Sequence, residues 1–510
     1  MSNLKTIAIY LPQYHRVKEN DEWWGEGYTE WTAVKQAEKL YEGHEQPRIP
    51  LYNNYYDLMK KETMQWQAEL AKKYGVYGFC FFHYYFKDGK KILEKPAENL
   101  LEWTDINMPF CFSWANASWV RTWSKINGGS MASKFEKYEE GNPILLHQTY
   151  GVEKDWKEHF EYLLPFFKDK RYIKIDGKPI FLFHIPEEID CLEKMVECWR
   201  NLAKENDLPG IYLIGVIVNS YQEFSMLDAL YAHEPRFSFY DYIRYSDLSK
   251  KSICNRYNLY EEVCQWSGKR QYFQNQKIYY GTFAGFDSTP RHGTQGAIID
   301  KVTPEIFEKS FKEICKKSIL CDNEFVFVNA WNEWGEGNYL EPDIKNKFAF
   351  LEKIKKIMQE STTWSIIPEL KNQENNVFFE IIKEREFERD KFKDYYHLLE
   401  QWMVILENGI SFKEYFKKNN YQNLAIYGFG AIGRHFYNQL TGAFDIRYII
   451  DKSVNISSFG IPFYRPDDQL PKVDVIIVTV INEYKQIYFD LKKEFKGDIV
   501  SLSEVIDMIL

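Results

Sequence analysis

Residues 325–337 read FVFVNAWNEWGEG, a short apolar run followed by a loop of tryptophans, glycines and carboxylates. A run that is apolar throughout is typical of a strand buried on both faces, as in a parallel sheet. Seven such runs precede it, and amphipathic stretches of helical period, such as 63–73, 152–167 and 305–317, lie between them. The seven runs are Thr6–Leu11, Gly75–Phe82, Pro109–Trp114, Pro179–His184, Ile211–Val218, Ala229–Ala232 and Ile278–Phe283. Eight buried strands with intervening helices over roughly 350 residues predict a (β/α)8 TIM barrel, an α/β fold.

Polar and aromatic residues come after nearly every one of these strands. In chain order they are Tyr14 and His15; His83, Tyr84 and Tyr85; Asn116; His184; Asn219; His233 and Glu234; Asp287; and Asn332 and Glu333. In a closed barrel these positions converge on one face, where barrel enzymes build their sites. In an open doubly wound sheet, which is the alternative, they would spread along an edge. The pattern therefore favours the barrel.

The chain changes character after residue 360. Residues 361–420 include a charged stretch of helical pattern and are interpreted as a helical linker. Strand-like runs then recur at 424–427, 447–450, 473–480 and 499–502. We expect a catalytic barrel over 1–360, the linker over 361–420, and a small Rossmann-like nucleotide-binding-type α/β domain over 421–510.

Composition and charge exclude several classes of protein. Of the 510 residues 45% are hydrophobic and the net charge is −9, which argues against a disordered chain and against nucleic acid as a partner. No stretch approaches the roughly 20 apolar residues of a membrane span. The run Ile7–Leu11 is too short for a signal-peptide core, and none of the eight cysteines forms a Cys-x-x-Cys pair. These features predict a cytoplasmic protein with reduced thiols.

The loop Trp331–Gly337 carries two carboxylates three residues apart, Glu333 and Glu336. Tryptophan is seldom fully exposed, so this loop is expected to line a pocket. Paired carboxyl groups in an aromatic pocket can cleave or form a glycosidic bond, because the pocket raises one pKa while the other group stays ionised. We therefore predict Glu333 and Glu336 as catalytic residues. The alternative is two glutamates favoured by a helix dipole, with the tryptophans packed beneath them.

Aromatic and polar residues of the other loops are predicted to bind the sugar. Tryptophans and carboxylates between residues 10 and 31 are typical of a sugar-binding wall, although a packed, ordered loop has the same composition. Asp287 and Arg291 could hold a hydroxyl, a phosphate or a carboxylate, or form a salt bridge within their loop. The predicted substrate-binding residues are Tyr10, Gln13, Tyr14, His15, Trp24, Glu30, Trp31, His83, Tyr84, Trp114, Asn116, His184, Glu234, Asp287, Arg291, Asn332 and Trp334.

Common metal-binding motifs are missing from the sequence. It contains no His-Glu-x-x-His, no zinc-type spacing of cysteine and histidine, and no Asp-x-Asp tripeptide. We therefore expect the barrel to require neither a metal nor a cofactor.

A glycine-rich segment in the C-terminal unit predicts a second site. Gly428, Gly430 and Gly433 lie between a predicted strand and a predicted helix, and Asp451 ends the next strand. This spacing is typical of a site for a nucleotide or NAD(P). The unit is about half a dinucleotide-binding domain. A degenerate module for effector binding or assembly, for example of a homo-oligomer, therefore explains it equally well.

Three segments together resemble the WbsX-type glycosyltransferases of bacterial surface-polysaccharide clusters, over roughly residues 5–360. They are Ala8–His15, Trp24–Trp31 and Ala330–Gly337. That family is related to glycoside hydrolase family 99, the endo-α-mannosidases. The resemblance implies a (β/α)8 barrel that acts on an oligosaccharide or a nucleotide sugar without a metal. It implies that Glu333 deprotonates the sugar 2-hydroxyl, giving a 1,2-anhydro sugar with net retention, and that Glu336 is the general acid and then the base. The C-terminal unit is similar to small nucleotide-binding-like modules fused to sugar-polymer enzymes.

Three functions remain open from the sequence. A transferase of O-antigen or capsule synthesis is favoured by the expected compartment. It is also favoured by Gly335, where the hydrolases tend to have histidine. A retaining endo-glycosidase or transglycosylase is favoured by the barrel and its carboxyl pair. A non-catalytic carbohydrate-binding protein is the third, and it would keep its function when Glu333 and Glu336 are changed to glutamine.

Overall fold

Eight parallel strands close into a barrel in the computed structural model, which describes residues 4–120, 144–218, 222–241, 254, 256–269, 276–364, 394–452, 460–493 and 495–510. Each strand pairs with the next along the chain, and the eighth pairs with the first. The strands are β1 (Lys5–Tyr10), β2 (Val76–Tyr85), β3 (Phe110–Trp114), β4 (Lys178–Phe183), β5 (Tyr212–Ile217), β6 (Ala229–Ala232), β7 (Ile278–Phe283) and β8 (Phe325–Asn329). This closure confirms the predicted TIM barrel and excludes the open sheet.

Helices lie between most of the strands and after the last one. They are α1 (Lys18–Trp24), α2 (Glu30–Lys35), α3 (Lys61–Lys73), α4 (Lys95–Glu102), α5 (Glu153–Lys168), α6 (Leu192–Glu205), α7 (Arg236–Asp241), α8 (Tyr260–Lys269), α9 (Thr289–His292), α10 (Pro304–Leu320) and α11 (Ala349–Ser361). The start of α10 is encoded locally, since the Thr303 side chain accepts the Ile306 N–H and Pro304 occupies the first turn. Its Phe307 and Phe311, four residues apart, are buried on one face.

The end of β2 differs from the prediction by three residues. The apolar run ends at Phe82, but the strand continues to Tyr85 because Tyr84 and Tyr85 pair antiparallel with Ile92 and Lys91. His83 and Tyr84 therefore belong to the strand and point to opposite faces of it. The remaining short strands are Lys91–Ile92, Trp119–Val120, Ile144–Leu146, Lys174–Ile175, Arg256–Leu259, Phe286–Asp287, Ala297–Asp300, Asn332–Glu333 and Asn338–Tyr339.

The chain divides into two compact units, Met1–Lys383 with the barrel and Glu384–Leu510. The second unit contains a five-stranded parallel sheet with β9 in its centre, in the order β11-β10-β9-β12-β13. Its strands are β9 (Asn423–Tyr427), β10 (Asp445–Ile450), β11 (Phe463–Tyr464), β12 (Val475–Val478) and β13 (Asp498–Ser501). Its helices are α12 (394–407), α13 (Phe412–Lys418), α14 (Ala431–Leu440), α15 (Tyr484–Lys492) and α16 (Leu502–Ile509). The Rossmann-like topology confirms the predicted fold of this unit.

Much of the predicted linker, residues 365–393, lies outside the described residues. The boundaries predicted at 360 and 420 stay predictions. Among described residues of the linker, 394–407 and Phe412–Lys418 are helical.

Candidate active site

The loop after β8 is a tight hairpin that carries Glu333 and Glu336. Asn332 and Glu333 pair antiparallel with Tyr339 and Asn338, and a 3-10 turn spans Trp334–Glu336 between them. Gly337 closes the turn with φ +57°, a backbone conformation that favours glycine. The turn brings the two glutamates, three positions apart, to the same guanidinium group.

That guanidinium belongs to Arg291, and each of its three nitrogen atoms bonds a different carboxylate. Nε lies 2.7 Å from Glu30 Oε1, Nη1 lies 2.5 Å from Glu336 Oε1, and Nη2 lies 2.9 Å from Glu333 Oε2. These four residues, here termed the arginine-centred cluster, come from three different loops, after β1, β7 and β8. The exposed side-chain fraction is 2% for Glu30, 8% for Glu333 and 27% for Glu336, so Glu336 is the most accessible carboxylate.

Glu30 fits into the cluster because residue 335 has no side chain. A β-carbon on Gly335 would lie 1.7 Å from Glu30 Oε1 and 2.9 Å from Arg291 Nε. The backbone of Gly335 is not in the left-handed region. Space, and not backbone conformation, therefore requires glycine at this position.

The electrostatics of the cluster favour a bound proton. Burial raises the pKa of Glu333 to about 8, with a further rise from the charge of Glu336 and an opposing effect of Arg291. Burial also raises the pKa of Glu336. Since three carboxyl groups share one positive charge, the cluster retains a proton near neutral pH. A protonated carboxyl group beside an ionised one can act as an acid/base pair.

Three of the predicted binding residues form an aromatic wall beside the cluster, here termed the Tyr14–Trp31–Trp334 wall. The ring of Trp31 lies 4.6 Å from that of Tyr14 and 5.5 Å from that of Trp334. The Tyr14 hydroxyl donates to the Asn332 carbonyl and accepts the Trp334 N–H at 3.2 Å. All three rings are buried, so they support the loop from behind and do not form an open stacking surface.

A third acidic residue of the last loop, Glu341, was not predicted from the sequence. It accepts hydrogen bonds from the Tyr56 hydroxyl at 2.8 Å, the Gln67 amide at 2.7 Å and the Trp334 indole at 2.7 Å. Burial raises the pKa of Glu341 to about 7, although these donors oppose the rise. A carboxylate only five residues after Glu336, between Leu340 and Pro342, was the signal that could have identified it.

Other predicted residues near the loop have mainly scaffold contacts. Asn332 joins β8 to the end of β1, since its Oδ1 accepts the Leu11 N–H at 2.8 Å and its Nδ2 donates to the Leu11 carbonyl at 3.0 Å. The Tyr10 hydroxyl donates to Gln67 at 2.7 Å. The Gln13 carbonyl accepts the backbone N–H at the start of α2 at 3.0 Å.

Two predicted residues of β2 and β3 pack away from the cluster. His83 Nε2 lies 2.8 Å from Nε2 of His159 on α5, and burial lowers the pKa of His83 to about 3. The Trp114 indole donates to the Tyr85 carbonyl at 2.9 Å. Tyr84, on the opposite face of β2, has its pKa raised by burial and by the charge of the cluster, which indicates that it faces the cluster.

Predicted residues after β3, β4 and β6 also have partners elsewhere. The Asn116 side chain bonds both the N–H and the carbonyl of Ile185 at 2.8 Å, which joins the two loops. His184 is buried, and this lowers its pKa. Glu234 accepts a hydrogen bond from the Ser267 hydroxyl at 2.8 Å. The structure does not bring these side chains to the arginine-centred cluster.

Asp287 lies in contact with residues 44–48, a segment that sequence reasoning missed. Its Oδ2 lies 2.9 Å from His44 Nε2 and 2.7 Å from Gln46 Nε2. Burial tends to raise the pKa of Asp287, but the His44 bond and the Arg48 charge leave it below its usual value. Arg48 in turn donates to the Gly337 carbonyl at 2.8 Å. Residues 44–48 show no periodic pattern that would have predicted this support.

His15 and Trp24 lie in the loop after β1, outside the arginine-centred cluster. His15 lines a separate cavity of about 360 Å³ together with Tyr14, Trp31 and Tyr55. Burial lowers its pKa to about 4. Trp24 is buried, with its ring 6.0 Å from that of Tyr28.

The glycine-rich turn of the second unit has room for a phosphate group. Gly428 has φ +89°, and a β-carbon on Gly433 would lie 2.0 Å from the Gly428 carbonyl oxygen, so both positions require glycine. A β-carbon on Gly430 would meet nothing within 4 Å, directly at the start of α14. Asp451 Oδ2 accepts the Phe429 N–H at 2.6 Å and so holds the turn. The residues present fit a nucleotide phosphate at this turn.

The barrel of this chain matches a described protein family over nearly its whole length. The family described as "Glycosyltransferase WbsX" matches residues 6–354, and the chain belongs to this family. The family confirms the resemblance inferred from the three sequence segments.

Curated relatives and solved structures are also similar to the chain. Two strains of Xanthomonas campestris pv. campestris have an "Uncharacterized protein WxcX" that is 29% identical over 363 residues, 68% of this chain. The chain spans about half the length of these relatives, 48%. The GH99 endo-α-mannosidase from Bacteroides thetaiotaomicron is 14% identical, with a TM-score of 0.41 over 70% of this chain and 97% of that one. A "Glycoside hydrolase-like protein" is 11% identical, with a TM-score of 0.43 over 70% and 94% of the two chains.

Among the residues described here, none of the helices combines the length and the apolar character that crossing a membrane requires.

Proposed function

We propose that this chain makes or rearranges glycosidic bonds in the biosynthesis of a bacterial surface polysaccharide, such as an O-antigen or capsule. Glu333 and Glu336 are the proposed catalytic pair, and the barrel chemistry needs no metal. The observation that carries the proposal is the pairing of a buried carboxyl group, Glu333, and a partly exposed one, Glu336, both of raised pKa, on one guanidinium. We place this activity in the cytoplasm, as the composition of the sequence predicts.

The proposed reaction has two stages, and in each stage one proton moves at Glu336 and one at Glu333. Glu336, the more accessible of the pair, protonates the departing oxygen while the bond from that oxygen to the anomeric carbon breaks. Glu333 removes the proton of the sugar 2-hydroxyl, whose oxygen closes on the anomeric carbon to give the 1,2-anhydro sugar. Glu336 then takes the proton of the incoming hydroxyl as its oxygen opens the ring, and Glu333 returns its proton to the 2-oxygen. Raised pKa values allow each carboxyl group to hold the proton in turn.

The charge of the cluster favours the alternative in which the donor is a glycoside and the chain acts as a retaining endo-glycosidase or transglycosylase. Three carboxylates against one guanidinium leave a surplus of negative charge, which repels a nucleoside diphosphate. A departing sugar alkoxide needs a proton from an acid, whereas a nucleoside diphosphate leaves as a stable anion. Family 99 chemistry on α-mannosides is the corresponding specific proposal.

The test incubates the chain with a panel of nucleotide sugars and a panel of neutral oligosaccharides that includes α-mannan fragments. Released nucleotide indicates transfer from a nucleotide sugar, whereas shortened or re-joined oligosaccharide indicates a glycoside donor. Glu333→Gln and Glu336→Gln should each abolish the reaction without unfolding the chain. Glu352→Gln, at an exposed position of α11, is the matched control. If both catalytic variants keep full function, the chain is a non-catalytic carbohydrate-binding protein.

We propose separately that the C-terminal unit binds a nucleotide or NAD(P). The phosphates would lie at Gly428–Gly430 and the ribose near Asp451. The open space at Gly430 favours this function over a purely structural module. Assembly into a homo-oligomer through this unit is the alternative, which size-exclusion chromatography with light scattering tests directly.

A further inference from the structure

We propose that Glu30 is a positioning residue of the active site, which fixes the Arg291 guanidinium and through it the catalytic pair. Its carboxylate occupies the space that a side chain at position 335 would take. The inference rests on the proposed function of Glu333 and Glu336. Because only 2% of the Glu30 side chain is exposed, it acts through Arg291 and not by touching substrate.

The backbone that carries Glu30 is held on both sides. Glu30 is the first residue of α2, its N–H bonds the Gln13 carbonyl at 3.0 Å, and Thr29 and Thr32 form a reciprocal capping box around it. The next residue, Trp31, is buried in the aromatic wall. The carboxylate therefore presents a fixed oxygen to Arg291 Nε at 2.7 Å, which leaves Nη1 and Nη2 directed at Glu336 and Glu333.

Glu30 also contributes charge to the pair. The charged and titratable groups that face it are Arg291 of α9, the two glutamates of the last loop, Tyr14 after β1 and Tyr84 of β2. Its negative charge raises the pKa values of both catalytic carboxyl groups, against the effect of Arg291. Removing that charge should lower both, so the acid limb and the alkaline limb of the activity profile should move to lower pH.

A substitution at Gly335 can distinguish the positioning role of Glu30 from a role in packing. An alanine β-carbon at 335 would lie 1.7 Å from the Glu30 oxygen and so displace the carboxylate that holds Arg291. Gly335→Ala should therefore reproduce the effect of Glu30→Ala. In the double variant the Glu30 carboxylate is missing, and only the approach of the β-carbon to Arg291 Nε, at 2.9 Å, remains. Arg291 has then already lost its bond to Glu30, so the second change should add little.

The experiment compares Glu30→Gln, Glu30→Ala, Gly335→Ala and the double variant Glu30→Ala/Gly335→Ala. The matched controls are Glu22→Gln, at an exposed position of α1, and Gly268→Ala, where a β-carbon would meet nothing within 4 Å. Each variant is measured for kcat and KM between pH 5 and 9 on the substrate found by the panel. The pH dependence of urea unfolding, which needs no substrate, is measured in parallel.

We expect Glu30→Ala and Gly335→Ala each to reduce kcat about 10- to 100-fold with little change in KM, because catalytic groups are displaced by a fraction of an ångström to about 1 Å. Glu30→Gln should retain more activity and show the shifted pH profile. The double variant should be no slower than the slower single variant. Multiplicative losses in the double variant, or unchanged pH profiles of activity and unfolding in Glu30→Gln, would overturn the inference. Full activity of Glu333→Gln would instead overturn the proposed function.

Discussion

The indole nitrogen of Trp334 lies 2.7 Å from a carboxylate oxygen of Glu341, so the loop that carries the proposed catalytic pair is bonded to a buried acid. The same oxygen accepts from Tyr56, and the other oxygen accepts from Gln67. The loop is thus held by two bonded groups, Glu341 through Trp334 and Arg291 through Glu333 and Glu336. Both are ionisable groups in a buried setting, where the loss of a hydrogen-bond partner strongly lowers the free energy of unfolding.

Replacing Glu341 should therefore loosen the loop. Glu341→Leu leaves the Tyr56, Gln67 and Trp334 donors without this acceptor and should lower the free energy of unfolding by about 3 kcal/mol or more. Glu341→Gln keeps one acceptor oxygen and should cost about 1 kcal/mol. Urea unfolding at pH 7 gives both values, and a red shift of tryptophan emission should accompany Glu341→Leu. Equal stability of the two variants would contradict this account.

Glu333→Gln should change how stability depends on pH. The pKa of Glu333 is about 8 in the folded chain against 4.5 for an unperturbed carboxyl group. The unfolded chain therefore loses this proton first, and the wild type should lose stability as pH rises from about 4.5 to 8.

The amide in Glu333→Gln cannot ionise, so the variant should lack this component. Its stability relative to wild type should increase by on the order of 1–3 kcal/mol between pH 5 and 8. Glu341, whose pKa is about 7, adds a slope of its own to both proteins, and this contribution cancels when the two profiles are subtracted. Parallel pH profiles of unfolding for the two proteins would contradict the raised pKa.

The barrel could be predicted from sequence because its strands are self-contained apolar runs. The predicted run Phe325–Asn329 coincides with β8, and the runs for β6 and β7 agree as well. The strand end at Tyr85 could not be predicted, because it depends on pairing with Lys91 across a turn. The two-residue strand Phe463–Tyr464 is too short to leave a pattern.

The site was only partly predictable because its decisive contacts are far apart in sequence. Glu333 and Glu336 could be proposed together because they lie in one short loop, and the structure brings both to Arg291. The bond from Arg291 to Glu30 joins positions 261 residues apart, and no spacing rule connects them. The tryptophans were typical of a sugar-binding wall, but Trp31 and Trp334 are buried and pack against the loop. Composition cannot distinguish these two uses of an aromatic ring.

Arg291 should be the most sensitive charge in the barrel. Arg291→Met leaves three partly buried carboxylates without a counter-charge and should lower the free energy of unfolding by about 3–5 kcal/mol at pH 7. Without the guanidinium, the pKa values of Glu333 and Glu336 rise further, so the loss should be smaller at pH 5, where these two groups bind protons. Arg16→Met, which removes an exposed ion pair with Asp21, is the control and should change stability little, because solvent screens the pair. Comparable losses in the two variants would show that Arg291 does not stabilise the fold by neutralising the three carboxylates.

Gly430 offers a test of the second unit that leaves its fold intact. The residue has φ −64° and ψ −163°, open to any side chain, and it caps the N-terminus of α14. Gly430→Ser and Gly430→Asp both supply a good N-cap, so both should fold with unchanged or raised stability. Only the aspartate places a negative charge where the nucleotide phosphates would lie.

Isothermal titration with NADH, ADP and UDP should show binding to wild type, weaker binding to Gly430→Ser, and at least about tenfold weaker binding again to Gly430→Asp. Equal affinity in the serine and aspartate variants would place any bound nucleotide elsewhere, and no heat of binding with the wild type would favour the structural role of this unit.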